Sequence, residues 1–253
     1  MIIFPEKREC GVRLMGKIIS LAAGSAFCIL AGSYLALAQA PQPMSFFVTS
    51  EGHARGANFG GIANADAHCQ QLAAAAGAGN RVWHAYLSAQ ARPNQPAINA
   101  RDRIGAGPWY NAKGVLIAAN VEQLHGENNI HKETALTEKG LTVGGRGDPE
   151  HPDDKTWAYM QAHPGSIRHE LLTGSTPDGR AFADGRDHTC NNWTSEADGN
   201  SPLRARTNTG PGAEIGKSDR TGPWNSQGIS GGCAHEALAR SHGAGLFYCF
   251  AVN

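Results

Sequence analysis

The chain has 253 residues, and its 22 Lys plus Arg are balanced by 22 Asp plus Glu, so it lacks the basic excess of a nucleic-acid binder. With 32 Gly and 13 Pro it is loop-rich, and its long irregular stretches must be pinned by something besides helix and sheet ladders. Residues 1–38 hold Lys7, Arg8, Arg13 and Lys17 against Glu6 and Glu9, which leaves 18 basic and 20 acidic groups in a remainder sized for one large domain.

Residues 1–38 read as an export signal. Lys17 is followed by Ile18, Ile19, Leu21, Phe27, Ile29, Leu30, Leu35 and Leu37, and no charge occurs before Glu51. Ala36-Leu37-Ala38 is a small-x-small end, and cleavage is expected after Ala38 because a cut after Ala40 would meet Pro41. Met15 is a second candidate start. Left uncleaved, the apolar run would be an anchor, and this is the one route by which the chain would meet a membrane.

Residues 39–45 form a short Pro-containing linker. Phe46-Phe47-Val48-Thr49 reads as a first strand. A helix follows, with Asn64 as N-cap, Asp66 in the first turn and Gly77 as its stop. Ala65, Cys69, Leu72 and Ala76 share one face of it, which points Cys69 inward. Val82 to Leu87 reads as a strand, and Val121 with Leu124 as a short amphipathic piece near His125-Gly126. Residues 126–165 are polar and read as a surface insertion with a short helix near Trp157. Later strands are expected at Glu170 to Thr173, Cys190 to Thr194 and Gly245 to Val252.

Cys10 and Cys28 fall in the export signal, leaving Cys69, Cys190, Cys233 and Cys249. An even number in an exported chain implies disulfides, but four cysteines allow three pairings and their spacing chooses none. No CxxC pair occurs, which argues against a zinc ribbon.

Three segments carry a resemblance. The first is Gly60-Gly61-Ile62-Ala63-Asn64-Ala65-Asp66-Ala67-His68-Cys69 with Trp83-His84-Ala85-Tyr86-Leu87-Ser88. The second is Leu172-Thr173-Gly174-Ser175-Thr176-Pro177-Asp178-Gly179-Arg180 leading into Cys190-Asn191-Asn192-Trp193-Thr194. The third is Cys233 with Leu246-Phe247-Tyr248-Cys249-Phe250. Together they resemble the C-type-lectin-like superfamily, nearest to its endostatin-like branch and to related bacterial exported lectin-like proteins. The resemblance spans most of 46–253, with 126–165 aligning poorly. It implies an α+β fold with two short helices, small antiparallel sheets and a long irregular loop stapled by nested disulfides. In that pairing Cys69–Cys249 encloses Cys190–Cys233, closing loops of about 180 and 43 residues, worth at most about 5 and 4 kcal/mol on the chain-entropy account.

Sugar-binding members of that superfamily hold calcium with loop carboxylates and a Trp-Asn-Asp strand. Here the strand reads Trp224-Asn225-Ser226, so one carboxylate is missing. No cofactor is expected. If calcium is bound, Asp219, Glu214 and Asn225 are the oxygen ligands available to it. Thr176-Pro177-Asp178 is similar to the Gln-Pro-Asp sugar motif but precedes Cys190, outside the inner loop. The acidic cluster Asp148, Glu150, Asp153 and Asp154 lacks EF-hand spacing and reads as solvated turns.

Catalytic motifs fail one by one. His235-Glu236 with His242 is not the His-Glu-x-x-His of a zinc protease, and the stretch ending Gly216-Lys217-Ser218 has Pro211 where a phosphate loop needs glycine. No Gly-x-Ser-x-Gly occurs. The expectation is therefore a periplasmic or secreted, non-enzymatic recognition module. It binds a glycan or an extracytoplasmic protein through the long loop 195–232, with Trp224 and Asn225 as leading contacts. An envelope-associated structural protein is the alternative, and an exported hydrolase a third.

Overall fold

The computed structural model describes residues 42–143, 168–201, 204–207 and 223–252. In chain order they form β1 (Phe46–Val48), α1 (Ile62–Ala75), β2 (Trp83–Ala85), a 3-10 turn (Ala100–Asp102), β3 (Trp109–Tyr110), β4 (Leu116–Ala118) and α2 (Val121–His125). There follow β5 (Glu170–Leu172), a tight turn (Cys190–Trp193), β6 (Arg206–Thr207), β7 (Gly228–Ile229), α3 (His235–Arg240) and β8 (Gly243–Ala251). The fold is α+β, with few helices, mostly antiparallel pairings and two disulfides. The expected export signal, the helix expected near Trp157 and the acidic cluster lie outside the described residues.

β8 is the axis. Strand side chains alternate between faces, and Phe247, Cys249 and Ala251 enter one hydrophobic cluster while Leu246, Tyr248 and Phe250 enter the other. Cys249 pairs with Phe47 of β1 and Ala85 of β2, so both strands flank β8 antiparallel. β5 pairs with the earlier part of β8 in parallel, and β6 and β7 extend the sheet beyond it. β3 and β4 make a separate hairpin, which the Asn111-Ala112-Lys113-Gly114 turn between two apolar runs could have signalled.

The first cluster is closed by α1, through Ala65, Cys69, Leu72 and Ala73. The helix begins earlier than expected, at Ile62 after Gly61, and no side chain caps it. Asn64 instead sits inside the helix and bonds back to the Gly60 carbonyl at 3.4 Å. Ala76 is the exposed C-cap, and Gly77 ends the helix with φ +81°. Asp66 clamps rather than capping: it accepts the Ala85 amide at 2.8 Å and both Arg103 guanidinium nitrogens, at 3.0 and 2.5 Å.

Two expectations need correction. Residues 126–143 are no surface excursion, because Ile130, Ala135, Leu136 and Val143 are buried and Glu138 is held by Ser50. Cys190 to Thr194 is no strand: Cys190, Asn191, Asn192 and Trp193 all take positive φ, between 48° and 66°. Left-handed conformation costs a non-Gly residue about 1–2 kcal/mol, least for Asn, which explains the two central asparagines. The turn is held from several directions. Thr189 caps it, Asn192 exchanges two 2.9 Å hydrogen bonds with the Gln90 backbone, and the Asp187 carboxylate accepts the Asn191 amide. Trp193 is fully buried, and its indole N–H donates to the Ser88 carbonyl at 2.8 Å. The linker also ends sooner than expected, since Ser45 is buried and bonds to Tyr110 and Ala251.

The two disulfides are nested. Cys69 of α1 joins Cys249 of β8 across 180 residues, and Cys190 joins Cys233 across 43. Residues 40–253 make one compact unit.

One buried charge stands out. Glu170 is 3% exposed, and its Oε2 has no hydrogen-bond partner among the described residues. Burial pushes its carboxyl up to about 8. The folded state then binds the proton more tightly than the unfolded chain, so Glu170 favours folding at low pH and that contribution is lost between about 4.5 and 8. Urea titrations across this range should show the loss, with a slope from this group of up to about 1.4 kcal/mol per pH unit. Glu170→Gln should remove that slope.

Candidate functional site

The long loop 195–232 is described at both ends, and its stems are strands. Thr207 of β6 pairs with Leu172 of β5, and Arg206 and Thr207 pair with Ile229 and Gly228 of β7. Glu214 and Asp219 lie outside the described residues. Among the described residues no group of three or more His, Cys, Asp and Glu could hold a metal ion.

Trp224 and Asn225 were expected as exposed contacts, and here the structure differs. They are 3% and 0% exposed. The Trp224 ring packs on Tyr86 and Tyr248 at centroid distances of 4.7 and 4.9 Å, with His125 at 6.1 Å. An aromatic face already covered on these sides is core, and its energy goes into holding the loop base.

Asn225 is the centre of a polar chain. Its Nδ2 donates to the Tyr86 hydroxyl at 2.7 Å and to the Thr176 carbonyl at 3.1 Å. Thr173 donates its hydroxyl to the Asn225 carbonyl at 2.6 Å. The Tyr86 oxygen lies 2.7 Å from His125 Nε2, and His125 Nδ1 lies 2.8 Å from the Val121 carbonyl. A carbonyl can only accept, which assigns the imidazole proton to Nδ1 and leaves Nε2 to accept from Tyr86. The chain therefore runs one way, from Asn225 to Tyr86 to His125 to Val121. Burial holds His125 below its ordinary value, with Arg101 adding to that effect, while burial pushes the Tyr86 hydroxyl up so that it keeps its proton. Two polar atoms here are closed from solvent with no hydrogen-bond partner among the described residues, Asn225 Oδ1 and Trp224 Nε1.

Over this chain lies a turn, Thr176 to Arg180. The Thr176 amide donates to the Arg180 carbonyl at 2.8 Å, and the Gly179 amide to the Thr176 carbonyl at 2.9 Å. The Asp178 carboxylate accepts from the Thr176 hydroxyl at 2.5 Å and from Arg180 Nε at 2.8 Å. Arg101 reaches the Asp178 carbonyl at 2.8 Å. The Thr176 hydroxyl first, then Arg180 and Arg101, holds the Asp178 carboxyl below its usual range. Asp178 and Arg180 are each more than half exposed, so this turn is a charged ledge open to solvent.

Thr176-Pro177-Asp178 precedes Cys190 in sequence, yet the fold brings it against Asn225. The reason is the β5–β6 pairing, which returns the loop beside the segment leaving β5. Tyr86, His125 and Arg101 were missed as site residues. The available signals were modest: His125 lies beside the short amphipathic piece of Val121 and Leu124, and Thr176-Pro177-Asp178-Gly179 is a turn sequence. No protein-family model matches the chain, and no curated protein matches it.

Gly179 is the point of closest approach. Its φ is +83°, and a Cβ there would lie 2.3 Å from His125 Nε2 and 2.7 Å from the Tyr86 hydroxyl. Gly179→Ala should cost about 2 kcal/mol or more in urea denaturation, from left-handed strain plus displacement of the ledge. Water admitted beneath the ledge should also move the His125 titration, followed by NMR, up towards the ordinary histidine range.

Proposed function

We propose that the protein is an exported recognition module of the C-type-lectin-like kind, periplasmic or secreted and not an enzyme. Its ligand is a glycan or an extracytoplasmic protein, met by the long loop 195–232 together with the ledge Thr176 to Arg180 at its base. The observation that carries this reading is the bridge from Asn225 to the Thr176 carbonyl, which fixes an exposed, pre-ordered set of donors and acceptors beside a disulfide-enclosed loop. Ordered polar groups at the rim of an aromatic-walled base fix the orientation of a bound polar ligand at small entropic cost.

One further observation supports the compartment: the two disulfides suit an oxidising environment. Against a hydrolase stands the chemistry of the chain at Tyr86: its hydroxyl is buried and held protonated, and His125 Nε2, the atom a general base would use, is already occupied by it.

The test is a glycan array probed with the oxidised protein in calcium and again in EDTA, with Asp178→Ala alongside. Binding to a defined subset of glycans, retained in EDTA and weakened at least about tenfold by Asp178→Ala, is the expected result, since about 1.4 kcal/mol corresponds to tenfold. Binding lost in EDTA would transfer the site to calcium ligands within the loop. No glycan binding, with firm recovery in envelope material whatever the sugar present, would replace this reading by a structural role.

A further inference from the structure

The polarity of the chain through Tyr86 makes the ledge dependent on the charge of one imidazole. We propose that His125 is a proton-operated latch: protonation of its Nε2 reverses the Asn225–Tyr86–His125 hydrogen-bond chain and releases the ledge Thr176 to Arg180 from the base of the long loop. This inference concerns regulation of the site described above as the recognition surface, and it rests on that reading for its biological meaning but not for its physics.

With His125 neutral, Asn225 Nδ2 donates to the Tyr86 oxygen and to Thr176, and Tyr86 donates to His125 Nε2. A proton on Nε2 makes that atom a donor. The Tyr86 hydroxyl then faces N–H groups at both ends of its contact, from His125 and from Asn225, and its own hydrogen has no acceptor between them. One acceptor is close at hand, Asn225 Oδ1, the enclosed oxygen of the same amide, which has no partner among the described residues. A half-turn of that amide satisfies Tyr86. It also places Oδ1 where Nδ2 stood, 3.1 Å from the Thr176 carbonyl oxygen. Two carbonyl oxygens at that distance repel. The bridge becomes a strut, and the ledge moves out.

The rest of the ledge is built to move as a unit. The Thr176 carbonyl keeps its bond from the Gly179 amide, so nothing within the turn is left unsatisfied by losing Asn225. Gly179 lies directly on the His125–Tyr86 contact, with no side chain to anchor it there. The ledge is tied to the body instead through Arg101, whose guanidinium and amide reach the Asp178 and Gly179 carbonyls. That tie gives a hinge rather than a release into solvent.

The charges facing His125 come from three directions. Arg101 opposes protonation, Asp178 of the ledge and Glu122 of α2 favour it, and Trp224 and Tyr86 present uncharged rings. Outward movement of the ledge carries Asp178 away but admits water to the imidazole. The closed state is therefore the one that holds His125 neutral, and burial sets its titration below the ordinary value of 6.5. A falling pH opens the latch and a rising pH closes it.

Hydrogen exchange of the full oxidised protein between pH 7.5 and 4.5, corrected for intrinsic exchange, tests the latch without any ligand. Amide protection over residues 174–181 should fall about fivefold or more across the His125 titration, the scale of one hydrogen bond of ordinary net strength. Tyr86→Phe keeps the ring and deletes the relay, and in that variant ledge protection should not follow the titration. His125→Gln should likewise give a pH-independent ledge. Protection that stays constant in the wild type, or falls alike in the wild type and Tyr86→Phe, would overturn the latch. The same samples on the glycan array separate the two readings: exchange that follows His125 without glycan binding at any pH leaves the latch standing and removes the glycan as the ligand of this surface.

Discussion

The strand at the C-terminal end of the fold, β8, is a constraint on nearly everything else. Nine consecutive residues, Gly243 to Ala251, have both faces covered, so their side chains divide between two hydrophobic clusters. The neighbouring strands have to supply apolar groups in register: Phe47 and Ala85 on one face beside Cys249, Phe46 on the other beside Phe250. A slip of one residue would exchange the two sets and drive Cys249 away from Cys69. The outer disulfide and the sheet register thus specify the same arrangement, one covalently and the other through burial, at roughly 1.5–3 kcal/mol for each large apolar side chain.

Polar groups enter this scaffold only where the chain can satisfy them or use them. The Asp66–Arg103 clamp joins α1 to the segment after β2 and also takes up the Ala85 amide. Asn192 plays the same part for the left-handed turn, matching its amide to the backbone of Gln90. The chain at Tyr86 differs from both. It is directional, its members come from the residue after β2, from α2 and from the base of the long loop, and among the described residues it leaves one oxygen over at Asn225. A buried network in which donors and acceptors do not close is the arrangement in which a single added proton has the largest structural effect.

How much of this was legible in the sequence depended on the range of the interaction. β1, the extent of β5, the last strand and the helix carrying Cys69 follow from local periodicity, and the stop at Gly77 from backbone chemistry. The Cys190 to Trp193 turn was misread as a strand because Cys and Trp favour extended backbone, whereas its shape is imposed by partners about 100 residues away in sequence, at Gln90. Residues 126–143 looked polar because their few apolar side chains are spaced irregularly, yet Ile130, Leu136 and Val143 each find a place in the core. Trp224 and Asn225 were singled out from the sequence as ligand contacts, yet both are buried. Their direction was hidden, since only the fold reveals that Tyr86 and Tyr248 wait to cover the indole.

The placement of the disulfides explains why the polar chain lies where it does. All four cysteines belong to the first cluster, under α1 and beside Trp193. Tyr86, Trp224 and Leu124 belong to the second, where no covalent link joins the loop base to α2 or to the ledge. Stability in a folded protein is unevenly distributed, and elements held by hydrogen bonds alone open before those stapled through the core. The first face therefore serves as the rigid reference. The second can exchange one hydrogen-bond pattern for another while the strands beneath it stay in register. The sheet thus keeps a covalently stapled side and a side held by hydrogen bonds on opposite faces of β8.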